Sequence, residues 1–165
     1  MLAVSRADLE GLRKSRRKVL KEVRFRVGAN PARQWYKYKS IFRQGKNYFI
    51  VTLCKILPPC ELKNHLYRLI GVSIGRNVSI ANDSIIDPMF PELIVIEDNA
   101  IIGWGTKLFT HEITLDTFRI GSIIVRKNSM VGEFSVVRPG VTIGRNSMVA
   151  AMSFVNEDVE DNTLE

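Results

Sequence analysis

A series of short segments of this chain obeys one six-residue rule: a branched apolar residue, two to four small or polar residues, then a small residue. Ile74-Gly-Arg-Asn-Val-Ser and Ile80-Ala-Asn-Asp-Ser-Ile open the series. After a slip of four residues it resumes with Ile96-Glu-Asp-Asn-Ala-Ile, Ile102-Gly-Trp-Gly-Thr-Lys and Leu108. It then runs through Val125, Val131, Val137, Ile143, Val149 and Val155. Self-similarity at a short fixed period describes a solenoid, in which each unit hides its apolar face only by stacking on its neighbours. Three hexads per coil make a triangular prism of about four coils, with a short strand on each side. The apolar residue points inward, a small one fits beside it, and Gly or Asn turns the corners, where few other residues tolerate a left-handed backbone. Gly75, Asn77, Gly144 and Asn146 fall at such corners, as does Pro139-Gly140. An antiparallel sandwich would instead show strands of five or six residues at a spacing of about 8–12, which this sequence lacks.

The segment from His111 to Ile124 breaks the rule. A histidine at the exit of a regular coil, where the long interruption begins, is the first candidate for chemistry, since a neutral imidazole suits general-base work. A lone His is often a plain surface residue. This one is in phase with Leu108 and follows Asn82-Asp-Ser-Ile-Ile-Asp87, which favours a role. Glu112 and Asp116 are the sequence neighbours able to orient it. Asn82 also fits a plain corner, and Asp87, ahead of Pro88, a turn-initiating aspartate. Trp104 reads as packing at a corner or a subunit contact, and His65 as structural. With two histidines in all, and Cys54 and Cys60 both in the front half, a catalytic zinc site is not expected. Neither a phosphate loop nor a dinucleotide fingerprint occurs.

The net charge of +7 hides an asymmetry. Residues 1–68 carry 17 Lys/Arg against 4 Asp/Glu, whereas 69–165 carry 7 against 13. The periodicity of Leu9, Leu12, Val19, Leu20 and Val23 predicts a helix over Arg6–Val23, broken by Gly28-Ala-Asn-Pro31. Two apolar helical stretches, Asn47–Leu57 and Glu61–Ile70, are divided by Pro58-Pro59. The expected plan is a basic helical arm (1–45), an apolar helical cap (46–70) and the repeat body (71–165). Basic residues interleaved with Trp35, Tyr36 and Tyr38 admit nucleic acid as a partner. They also admit peripheral contact with an anionic membrane, with Tyr48-Phe-Ile-Val as an apolar face, and this reading is preferred to nucleic acid. A solvated arm that only caps the first coil is the third reading. Two thiols, no apolar signal core in Met1–Glu10 and no apolar run long enough to span a bilayer together predict a cytoplasmic protein, with membrane association left open.

Four motifs carry a resemblance to a family: Asn82-Asp-Ser-Ile-Ile-Asp87, Leu108-Phe-Thr-His111, Val131-Gly-Glu133 and Ile143-Gly-Arg-Asn-Ser-Met-Val-Ala-Ala151. Over about Leu66–Thr163 the chain resembles the hexapeptide-repeat acyltransferases, and among them the maltose/galactoside O-acetyltransferases. The resemblance implies a mainly β fold, the left-handed parallel β-helix. It implies acetyl-CoA as co-substrate, no metal, a sugar or glycan hydroxyl as acceptor, and a homotrimer with its sites between neighbouring subunits. His111 would be the base, and Asn82 and Asp87 would bind the acceptor. Glu133 and Ala151 would offer backbone amides to the thioester and the pantetheine arm. Three departures stand out: Met130 replaces a common aromatic, Glu157 a common basic residue, and the sequence stops at Glu165, ahead of the family's Gly-x-Pro-Ala-Lys/Arg tail. N-acetylation of an amino sugar or serine-type acceptor is the alternative reaction, and a non-catalytic scaffold the alternative to an enzyme.

Overall fold

The computed structural model describes residues 20–25, 32–33 and 39–164. Its body is a prism of three four-stranded parallel sheets. The first sheet stacks β2 (Ser73–Ile74), β5 (Ile94–Ile96), β10 (Ile123–Val125) and β13 (Thr142–Ile143). The second stacks β3 (Ser79–Ile80), β6 (Ile101–Ile102), β11 (Met130–Val131) and β14 (Met148–Val149). The third stacks β4 (Ile85–Ile86), β7 (Lys107–Leu108), β12 (Val136–Val137) and β15 (Phe154–Val155). The chain visits the three sheets in turn, making four coils of a left-handed parallel β-helix. Bridges from Val159 to Ile143 and from Leu164 to Met148 begin a fifth.

The hexad rule is visible in the register. Ile80, Ile102, Val131 and Val149 align across the second sheet, and Ile86, Leu108, Val137 and Val155 across the third. All are buried, while the residue before each points outward, as the two-residue alternation of a strand requires. Each such Ile, Leu or Val stabilises the prism by about 1.5–3 kcal/mol of burial. Hydroxyls fit beside them and bond to backbone of the adjoining coil, as Thr106 Oγ1 does to the Gly132 carbonyl at 2.8 Å.

Asparagine turns the corner between the first and second sheets. Asn77, Asn99, Asn128, Asn146 and Asn162 all have φ between 52° and 60°. Their amides form a ladder along the prism, each Nδ2 donating to the next Oδ1 at 2.9–3.0 Å. The flanking Gly75 is needed for a different reason from the expected left-handed turn. A Cβ there would lie 2.6 Å from the Asp98 backbone nitrogen, so close stacking of the coils excludes it.

Two helices close the open end. α1 (Ile41–Ile56) and α2 (Glu61–Ile70) are separated by Pro58-Pro59, and α1 begins six residues ahead of the stretch expected from sequence. Val51, Cys54, Tyr67 and Ile70 pack onto Val72, Val78 and Ile80 of the first coil, giving the cap a solenoid end requires. The last carbonyls of a helix lack partners within it. Here the first coil supplies them: the Asp83 N–H donates to Lys55 O at 2.9 Å and Asn82 Nδ2 to Ile56 O at 3.1 Å. The buried Lys63 ammonium donates to Leu57 O at 2.9 Å and Ala81 O at 2.8 Å, and burial pushes its pKa down.

The front of the chain departs from expectation. Leu20–Arg24 forms a strand, β1, where a helix reaching Val23 was predicted. The interruption at His111 is a hairpin of β8 (His111–Ile113) and β9 (Thr117–Gly121), and β1 pairs antiparallel with β9. Tertiary pairing overrides the local helical periodicity, because β9 has an edge to fill and Phe25 joins the apolar cluster of Met89, Phe90, Leu93, Phe118 and Ile120. The predicted helix over residues 6–19 lies outside the described residues.

Candidate active site

His111 follows β7 at the corner where the third sheet turns back to the first, and Asp87 follows β4 at the same corner one coil earlier. The slip of four residues between the first and second coils is spent here, in residues 88–93, which fold Phe90 and Leu93 into the apolar cluster beneath the hairpin. Stacking brings the Asp87 carboxylate under the imidazole, with Oδ2 2.5 Å from His111 Nδ1. That oxygen also accepts from the Thr110 N–H at 2.9 Å, the Thr110 hydroxyl at 2.8 Å and the His111 N–H at 3.1 Å. Oδ1 accepts from the Met89 N–H at 2.8 Å. Burial of a fully covered carboxylate would raise its pKa, but the bond to His111 and these donors outweigh burial and hold it below the usual carboxylate range.

A carboxylate on Nδ1 assigns the proton to that nitrogen in the neutral ring, which leaves Nε2 with a lone pair. Phe90 and Phe118 approach the ring edge-to-face, each with centroids 6.1 Å away. Lys39 stands over Phe90, 4.9 Å from its centroid, and forms a buried ion pair with Glu92. The imidazole is therefore fixed by one hydrogen bond and two rings while a quarter of its side chain stays accessible. It opens on a cleft lined by Ala32, Gln44, Met89 and Ile113.

The other expected site residues lie elsewhere on the chain. Asn82, Glu133 and Ala151 occupy equivalent positions of the first, third and fourth coils, two residues after Ile80, Val131 and Val149, at the corner between the second and third sheets. That corner and the His111 corner flank opposite edges of the third sheet. Gly103 and Gly132 keep it tight: a Cβ on the first would lie 2.6 Å from Glu133 N, and on the second 2.5 Å from Ala151 N. Asn82 spends its Nδ2 on α1, as described above. Glu112 and Asp116, the sequence neighbours weighed as orienting partners, bind elsewhere. Glu112 binds Arg119 at 3.5 Å and Arg138 at 2.5 Å, and Asp116 receives the Thr117 hydroxyl at 3.1 Å. Asp87 holds that place. The two aromatic walls and Gln44 carried no periodic signal in the sequence. Among the described residues no group of three or more His, Cys, Asp or Glu is placed to hold a metal ion.

The comparison that decides the family is with YvoF of Bacillus subtilis (strain 168), a protein bearing an acetyltransferase name. It is 33% identical over 140 residues, covering 83% of this chain and 80% of YvoF. This chain belongs to the hexapeptide-repeat acyltransferases. The family model described as bacterial transferase hexapeptide (six repeats) matches residues 122–157 of this acyltransferase. The galactoside O-acetyltransferase of Lactococcus lactis subsp. lactis (strain IL1403) is 25% identical over 143 residues, covering 81% of this chain and 63% of that protein. Among solved structures, a hexapeptide-repeat acetyltransferase of Vibrio cholerae O1 biovar eltor, crystallised with acetyl coenzyme A, superposes with a TM-score of 0.62 at 23% identity. The match covers 74% of this chain and 81% of that one, and it shows a shared fold.

Proposed function

We propose that this acyltransferase moves the acetyl group of acetyl-CoA to a hydroxyl of a sugar or polysaccharide precursor, with His111 as general base. The observation that carries the reading is the Asp87–His111 pair, which presents the unprotonated Nε2 to a cleft. A hydroxyl is a poor nucleophile until its proton leaves, whereas a thioester is already activated, so the reaction needs a positioned base above all. Nε2 takes the proton as the hydroxyl oxygen attacks the thioester carbonyl. The resulting imidazolium is stabilised by the Asp87 carboxylate and returns the proton to the departing thiolate. Such a base contributes about 10²–10⁴-fold, and a backbone N–H on the oxyanion about 10²–10³ more. The Glu133 and Ala151 amides are the groups assigned to the acetyl-CoA side, the first to the oxyanion and thioester and the second to the pantetheine arm.

Those amides and His111 flank opposite edges of one sheet, so the complete site is assigned to two copies. The His111 corner of one protomer faces the Glu133–Ala151 corner of the next in a homotrimer. Asp87, with no exposed surface, is a positioning residue in this scheme, and the acceptor meets Asn82 only across that boundary. The sugar acceptor is supported by the similarity to the Lactococcus protein. The test is CoA release from acetyl-CoA with maltose, a galactoside and an amino sugar offered in turn. Release should depend on a hydroxyl acceptor and vanish in His111→Ala. Full activity of that variant would overturn the base, and acetylation at an amine alone would overturn the acceptor.

A further inference from the structure

α1 has two faces. Its inward side carries Val51 and Cys54 against the first coil, Gln44 at the His111 cleft, and Asn47, whose amide donates to Pro88 O at 3.0 Å. Its outward side is also apolar and, among the described residues, left exposed. Phe42, Phe49 and Ile56 recur every two turns on one line and are 91%, 70% and 74% exposed. Leu53 lies beside that line, and Ile41 and Tyr48 lie about a quarter turn round on its other side, beyond Gly45 and Thr52, all exposed. At 3.6 residues per turn, Arg43 and Lys46 fall along one margin of this stripe and Lys55 along the other. The helix has 16 residues, none of them acidic, and is about 24 Å long.

We propose that α1 is an interfacial helix that seats this protein on an anionic bilayer. Its stripe enters the boundary between headgroups and acyl chains, and Arg43 and Lys46 meet the headgroups, while Lys55 is held by Asp83 at 3.9 Å. Charge selects this occupant. The stripe belongs to the half of the chain with 17 Lys/Arg and only 4 Asp/Glu, so an anionic surface gains attraction along its whole approach. A symmetric pairing of two copies through α1 would bring cations from both helices together with no acidic residue on either helix to offset them. Contact is peripheral, because no helix of the described residues is long and apolar enough to cross a membrane. Since the opposite face of the same helix borders the cleft, docking holds the acceptor site within about one helix diameter, roughly 10 Å, of the lipid. That consequence rests on the acetyl-transfer reading; the docking itself does not.

The full chain is sedimented with vesicles of phosphatidylcholine alone and of phosphatidylcholine with phosphatidylglycerol, in the absence of acetyl-CoA, and its mass is read by light scattering. Binding should require phosphatidylglycerol and weaken as salt is added. Phe42→Ser with Phe49→Ser removes the stripe, and Arg43→Glu with Lys46→Glu keeps it while reversing the charge. Each pair should weaken binding by about tenfold or more at wild-type mass and helicity. Failure of the wild type to sediment, equal binding to neutral vesicles, or wild-type binding by either double variant would overturn the proposal. So would a fall in particle mass for the serine variant, which would make the stripe a contact between copies. Because no turnover is read, these outcomes are separate from those of the acetyl-transfer test.

Discussion

Asp87 is a buried carboxylate with four contacts on one oxygen, from the Thr110 amide and hydroxyl and from the His111 amide and imidazole. Replacing it with Asn keeps the shape and removes the charge that fixes the tautomer and, in the proposed mechanism, balances the imidazolium. Asp87→Asn should lower kcat by about 10²–10³-fold, with little change in KM for acetyl-CoA. A residue that bound the acceptor directly would move the acceptor KM instead. The same carboxylate contributes to stability with a definite sign. Its folded pKa lies below its ordinary value of 3.8, so the stabilisation is present above that value and is lost as pH falls through it toward the folded pKa. The urea midpoint of the wild type should therefore drop on acidification through this range, and the drop should be shallower in Asp87→Asn. An equal acid slope in both would show that Asp87 is not depressed in the folded protein.

At the scale of elements, the asparagine ladder makes each corner depend on its neighbours. Asn128 accepts from Asn99 and donates to Asn146 while holding φ at 60°. Asn128→Ala forfeits both amide bonds and meets the left-handed penalty, together about 2–3 kcal/mol, or a fall of about 4–12 °C in Tm. Asn128→Gly keeps the backbone comfortable and should lose less than the alanine variant, a ranking that thermal melts will check. These corners and the twelve strands were legible because they depend on residues within one hexad. The pairing of Asp87 with His111 was not. It depends on how the extra residues between Ile86 and Ile94 fold out at the corner while the strands keep their register, and the slip in the hexad series does not say what that loop brings together. Strand β1 was hidden for a related reason: its partner is about a hundred residues away, and its own sequence has a helical pattern. The structure places His111 in a cleft and brings Asp87 to it, while Glu133 and Ala151 keep the separate corner that their repeat positions dictate.

At the scale of the whole molecule, the two corners carry the argument for assembly. One copy has His111 at one end of the third sheet and the Glu133 and Ala151 amides at the other, so in the proposed scheme neither half of the site can complete itself by side-chain motion within a rigid prism. Sites shared between protomers make a quantitative prediction about mixtures. In the proposed scheme His111→Ala lacks the base but keeps the amide corner, and Ala151→Trp keeps the base but fills the path assigned to the pantetheine arm. Each variant alone should be inactive. When the two are unfolded together in equal amounts and refolded, each boundary draws its two halves from different protomers, so about one quarter of the sites combine two intact halves. CoA release should recover to about that fraction of the wild-type rate. A site built within one chain leaves every site damaged in the same mixture and predicts no recovery, so the rate of the refolded mixture decides whether catalysis belongs to the protomer or to the boundary between two of them.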